Sequence, residues 1–95
     1  MTFEEKLSEM YNEIANKISS MIPIDWEKVY VIAYVDDGGG QVIFYYTKPG
    51  NDELCYYSSI VEDYNVLEEI FDDLWMELYR SFKKLRNIFK EESLE

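Results

Sequence analysis

Histidine is absent from this 95-residue chain. With it go the usual general base at neutral pH, the Ser-His-Asp arrangement and most zinc sites. A single cysteine, Cys55, excludes an internal disulfide framework and suits a reducing compartment, where it reads as a small apolar strand residue. Positive charge is scarce: 9 Lys and Arg stand against 20 Asp and Glu, giving a net charge of -11 and a pI near 4.3. Nucleic acid and anionic membrane surfaces would repel such a chain, so neither is expected as a direct partner, whereas a basic protein would be attracted. No apolar run approaches the roughly 20 residues that span a bilayer. The opening MTFEEKLSEM is charged and amphipathic rather than basic and then apolar, so no secretory signal is expected and the expected location is the cytoplasm. With no internal repeat or low-complexity linker, residues 1–95 are expected to form a single domain with a modest core.

What the chain does hold is one long amphipathic stretch, Leu67 to Glu92. Leu67, Phe71, Leu74, Leu78, Phe82, Leu85 and Phe89 recur at three- and four-residue steps, one stripe of a helix, widened by Ile70, Trp75, Tyr79 and Ile88. Asn65 and Glu68 have the spacing of an N-terminal capping box. Acidic residues crowd the first turns, and 5 of the 9 basic residues lie between Arg80 and Lys90, an order that favours the helix dipole. Glu69, Asp73 and Glu77 repeat every four residues, either a solvated face or an acidic docking ridge.

Upstream, Thr2 and Glu5 mark the start of a first helix. Its apolar face is Phe3, Leu7, Met10, Tyr11, Ile14, Ile18, Met21 and Ile22, and Pro23 ends it. Val29–Val35, Gln41–Thr47 and Glu53–Ser59 are rich in β-branched and aromatic residues and predict three strands. DDGG at residues 36–39 and KPGND at residues 48–52 supply the turns, the second with Pro49 and Gly50 placed for type II. Such short connections require an antiparallel meander. The fold class is therefore α+β: an N-terminal helix, a three-stranded antiparallel meander and a long C-terminal helix.

Two mismatches point to a partner. Val42, Phe44 and Tyr46 alternate with Ile43, Tyr45 and Thr47, and Val29, Val31, Ala33 and Val35 alternate with Tyr30, Ile32 and Tyr34. Both sheet faces are thus apolar enough to need covering, and two helices cover one. A helix of about 26 residues spans close to 40 Å, against about 23 Å for a seven-residue strand. Its overhanging end, with Phe82, Leu85, Ile88 and Phe89, would leave apolar surface exposed in a monomer and offers a route to a homodimer through the long helix.

Catalytic chemistry finds little support. Gly38-Gly39-Gly40 lies between two strands and lacks the Lys-Ser/Thr and helix start of a phosphate loop, so it is a hairpin tip. Asp36 with Asp37 and Asp72 with Asp73 are adjacent carboxylates without a complete ligand pattern. No cofactor, metal or enzymatic activity is expected. The 9 tyrosines, several on neighbouring strands, are the more informative excess, because outward-facing Tyr offers rigid amphipathic contact area. Asp36, Asp37, Tyr45, Tyr57, Asp72, Asp73 and Glu77 are the expected partner-binding residues.

MIPIDW at residues 21–26 followed by IAYV at 32–35, YTKPGNDEL at 46–54 and LYRSFKKLRNIFKEE at 78–92 carry a resemblance across essentially the whole chain. It resembles the amino-terminal part of the YezG/EsaG-like immunity proteins of Gram-positive bacteria. The resemblance implies an antitoxin that binds and neutralises a nuclease toxin of the LXG or type VII secretion kind. Family members continue into further strand-rich sequence, whereas this sequence stops at Glu95, which the resemblance reads as the N-terminal part of a longer immunity protein, an ordered portion or a shortened paralogue; no catalytic residue is carried over. The rival expectation is a self-associating or chaperone-like adapter for a secreted partner.

Overall fold

A computed structural model describes residues 2–92. Thr2 caps helix α1 (Phe3–Met21), its Oγ1 accepting from the Glu5 N–H at 3.1 Å. Past Met21 the chain is extended at Ile22, where φ is -99°, and Pro23 cannot continue a helix. Met10, Ile14, Ile18 and Met21 are buried, as the spacing predicts, whereas Tyr11 is 53% exposed.

Strands β1 (Lys28–Asp36) and β2 (Gly39–Thr47) pair antiparallel without interruption from Lys28 opposite Thr47 to Asp36 opposite Gly39. At the tip the Asp36 carboxylate accepts from the Gly38 N–H at 2.8 Å, and Gly39 takes a positive φ of 143°. The second turn closes as predicted, with Asn51 N–H donating to the Lys48 carbonyl at 3.1 Å and Gly50 at φ 75°.

The third strand is shorter than the sequence predicts. β3 is only Cys55–Tyr56, paired with Tyr46 and Tyr45, giving a sheet of order β1-β2-β3. Tyr57–Ser59 then form a 3-10 turn leading into a short helix α2 (Ile60–Asp63). The Ser59 hydroxyl donates to the Tyr56 carbonyl at 2.7 Å, and the bend brings Ile60 into full burial. A side chain-to-backbone bond and a buried isoleucine outweigh the strand propensity of this segment.

Asn65 also differs from its sequence expectation. It takes φ 52° just beyond α2, while the Val66 N–H donates to the Val61 carbonyl at 3.1 Å, a Schellman closure of that short helix. Helix α3 (Glu68–Glu92) begins instead with the Leu67 carbonyl, which accepts from the Phe71 N–H at 3.0 Å. Asparagine is tolerated in the left-handed region, so the same residue type serves the preceding helix rather than the following one.

Helices α1 and α3 run antiparallel on one face of the sheet. The Phe3 and Phe89 rings meet edge-on at 5.6 Å, and Lys17 Nζ reaches the Glu77 carbonyl 3.2 Å away at the other end. Between helices and sheet lies the core: Val42, Phe44 and Tyr46 of β2, Ile14, Ile18 and Met21 of α1, Phe71 and Leu78 of α3, and Ile60. The α+β architecture is thus the expected one. The overhang is not bare, because the first turns of α1 run beside it; Phe82, Leu85 and Ile88 are half-buried and Phe89 remains 48% exposed.

Candidate partner-binding surface

Strand alternation and the ladder register together define the uncovered face of the sheet. Tyr30 lies opposite Tyr45, Ile32 opposite Ile43 and Tyr45 opposite Tyr56, while Val42, Phe44 and Tyr46 between them have no exposure. Tyr30, Ile32 and Tyr34 are 51%, 59% and 65% exposed. The result is an apolar and aromatic surface with the Tyr45 and Tyr56 rings 5.2 Å apart at one side. Sequence reasoning named Tyr45 from this surface and left out Tyr30, Ile32 and Tyr34. Their place opposite Tyr45, Ile43 and Gln41 across the first hairpin was the available signal.

Tyr57 is not on that face. The chain turns after Tyr56, and the Tyr57 ring packs 5.4 Å from Phe44 and 6.3 Å from Phe71, on the helix side. Burial raises its phenol pKa above the ordinary range. It lines a groove of ≈ 350 Å³ with Glu62, Glu68, Phe71, Asp72 and Trp75, so two of the expected residues, Tyr57 and Asp72, do come together. The Trp75 indole donates to the Val42 carbonyl at 2.8 Å, satisfying a β2 main-chain group beyond the reach of β3.

Asp73 and Glu77 stand exposed on α3, outside that groove. Asp36 and Asp37 are at the other end of the molecule. Asp36 accepts from the Tyr34 hydroxyl at 2.7 Å, which together with the Gly38 N–H holds its carboxyl below the usual range and raises the Tyr34 phenol. Asp37 receives the Arg86 guanidinium at 3.0 Å, with Lys90 Nζ 3.7 Å away, and its carboxyl is lowered chiefly by the Arg86 hydrogen bond. Asp37 is thus engaged with α3 rather than unpaired at the tip. Arg86 and Asp72 are 14 residues apart on one helix, about 21 Å, so the expected acidic residues form two separate groups instead of one patch.

Among the described residues, no cluster of His, Cys, Asp or Glu is arranged to hold a metal ion, and no helix is long and apolar enough to cross a membrane. The uncovered sheet face is thus apolar and aromatic, with the Asp36 carboxylate at its edge accepting from Tyr34. The chain belongs to the family of YezG-like immunity proteins, whose sequence model matches residues 7–95. It is 66% identical over all 95 residues to the type VII secretion system protein EsaG of Staphylococcus aureus, covering 58% of that protein. It is 42% identical over 90 residues to the immunity protein YezG of Bacillus spizizenii and 35% over 80 residues to that of Bacillus subtilis, covering 56% and 53% of them. The chain therefore spans a little over half the length of these relatives. Membership of an immunity-protein family bears out the non-enzymatic reading, and immunity proteins act by binding cognate toxins.

Proposed function

We propose that this chain is the amino-terminal, toxin-binding part of an immunity protein that neutralises a nuclease toxin exported by a type VII secretion system, acting in the cytoplasm before export. The family match over residues 7–95 carries the reading. The net charge of -11 supports the nuclease part of it, because a surface that binds phosphate backbones is basic and would be drawn to this chain by electrostatic steering. Contact is made through the uncovered tyrosine face and the Tyr57–Asp72 groove, with Asp73 and Glu77 as flanking charge. A dimer through α3 would rest on Ile70, Met76 and Phe89, since most of the remaining stripe faces α1 or the sheet.

The test is a pull-down of the 95-residue chain with the nuclease domain encoded beside it, followed by DNA degradation by the complex. Binding with loss of cleavage supports the proposal. Binding with cleavage intact assigns inhibition to residues outside this chain, and absence of binding favours the adapter reading.

A further inference from the structure

Among the described residues, the sheet order leaves one side of β1 without a strand neighbour. Nine residues long, β1 has none of the devices that keep sheet edges apart: no proline, no bulge in its register with β2, and no charge between Val29 and Val35. Its outward residues are exposed, and Val31 on the helix side is 36% exposed. Along that inner side run two largely apolar grooves, one where Tyr11 and Ile18 of α1 face Val29 and Val31, the other where Phe82 and Phe89 of α3 face Ala33 and Val35. These grooves, of ≈ 210 and ≈ 280 Å³, offer space for another strand's side chains.

We propose that β1 pairs antiparallel with β1 of a second copy of this chain, about a two-fold axis at Ile32, joining two three-stranded sheets into one of six strands. The argument is in the strand's own order, KVYVIAYVD, which is complementary to itself when reversed. Centred on Ile32, Lys28 meets Asp36 of the second copy at both ends, Tyr30 meets Tyr34, Val29 meets Val35, and Ile32 meets itself. Opposite charges and matched aromatic or β-branched residues are the favourable cross-strand pairs. A one-residue slip would turn the tyrosines into the grooves and the valines to solvent. A strand from a uniformly basic partner has less claim to this edge, because it would meet Lys28 as well as Asp36. The pairing is isologous and closes at two copies.

Sedimentation of the chain across the micromolar range, at salt high enough to screen the like net charges, should show a monomer–dimer equilibrium. Ile32→Lys should weaken it at least about tenfold, since it places two ammonium groups face to face on the axis. Ile32 points to solvent in the monomer, so the thermal melt of that variant should keep its cooperativity. In a Cys55→Ser background, Ile32→Cys should form a disulfide-linked dimer on mild oxidation, because opposed Cα atoms in an antiparallel pair are about 4.5–5.5 Å apart. Tyr30→Cys should not, as its counterpart lies four residues along, about 13 Å away. A monomer at every concentration, a dimer indifferent to Ile32→Lys, or equal cross-linking at both positions would overturn the proposal.

Discussion

The fully buried Ser81 hydroxyl lies 2.6 Å from Glu13 Oε2 and 2.7 Å from Lys17 Nζ, joining α3 to α1 through a single side chain. It accepts from Lys17 and donates to Glu13 between two antiparallel helices.

Ser81→Ala should destabilise the fold by about 1 kcal/mol, read by urea denaturation. The Ser81 hydroxyl is the largest cause of the lowered Glu13 carboxyl, followed among the lowering causes by Lys17 and Lys84. A carboxyl whose folded pKa is depressed stabilises the protein above its ordinary value near 4.5, and that contribution disappears as pH falls through the lowered folded value. The variant should therefore show a shallower loss of stability below pH 4.5 than the parent chain.

Gly40→Ala should be more damaging, by about 1–3 kcal/mol. A Cβ at Gly40 would stand 2.2 Å from the Tyr34 carbonyl oxygen and 2.9 Å from the Val35 Cα, both main-chain atoms of the paired strand. Gly38→Ala meets nothing closer than 3.6 Å and should be much milder; equal melting temperatures for the two variants would contradict the close approach of β1 and β2.

Tyr46→Phe is expected to leave stability unchanged or to raise it by about 1 kcal/mol. The Tyr46 ring is fully buried and its hydroxyl makes no hydrogen bond of acceptable geometry; burial and the adjacent Tyr64 hydroxyl raise its pKa. Calorimetry on the variant decides: a loss above about 1 kcal/mol would establish a stabilising bond to Tyr64.

Asn65→Gly should be tolerated and Asn65→Ala should cost about 1 kcal/mol, because φ 52° is a left-handed conformation. Asn65→Ser, which would preserve an N-terminal cap, should instead be destabilising. Circular dichroism melts of the three variants separate these roles.

Reversing Asp72, Asp73 and Glu77 to Lys should slow association with a basic nuclease domain and reduce the salt dependence of its on-rate, measured by stopped flow. An unchanged rate would remove these carboxylates from the binding surface.

Periodicity made both long helices and two strands legible, because α1 and α3 each bury one stripe and β1 pairs with β2 in full register. The third strand is shorter than its composition predicts, because Glu53–Ser59 has strand composition whereas its path is decided by the burial of Ile60. Neither sheet face could be chosen from the sequence, since Ile43 and Tyr45 are as apolar as Val42 and Phe44. Only helix packing distinguishes them. Alternation groups Tyr45 with Tyr30, Ile32 and Tyr34 without saying whether that face is open, and it does not reach Tyr57, because alternation stops where the strand does. The engagement of Asp37 with Arg86, 49 residues away, leaves no local trace in the sequence.

The tie between the hairpin tip and the last turns of α3 also settles what becomes of the chain's scarce positive charge. Arg86 and Lys90 lie beside Asp37, Lys84 and Lys17 beside Glu13, and Lys6 beside Glu91, each within 4.0 Å. Individually such exposed pairs add little stability. Collectively they place a carboxylate beside Lys84, Arg86 and Lys90, three of the five basic residues between Arg80 and Lys90. The long helix, bipolar as a sequence, becomes acidic at one end and close to neutral at the other once folded.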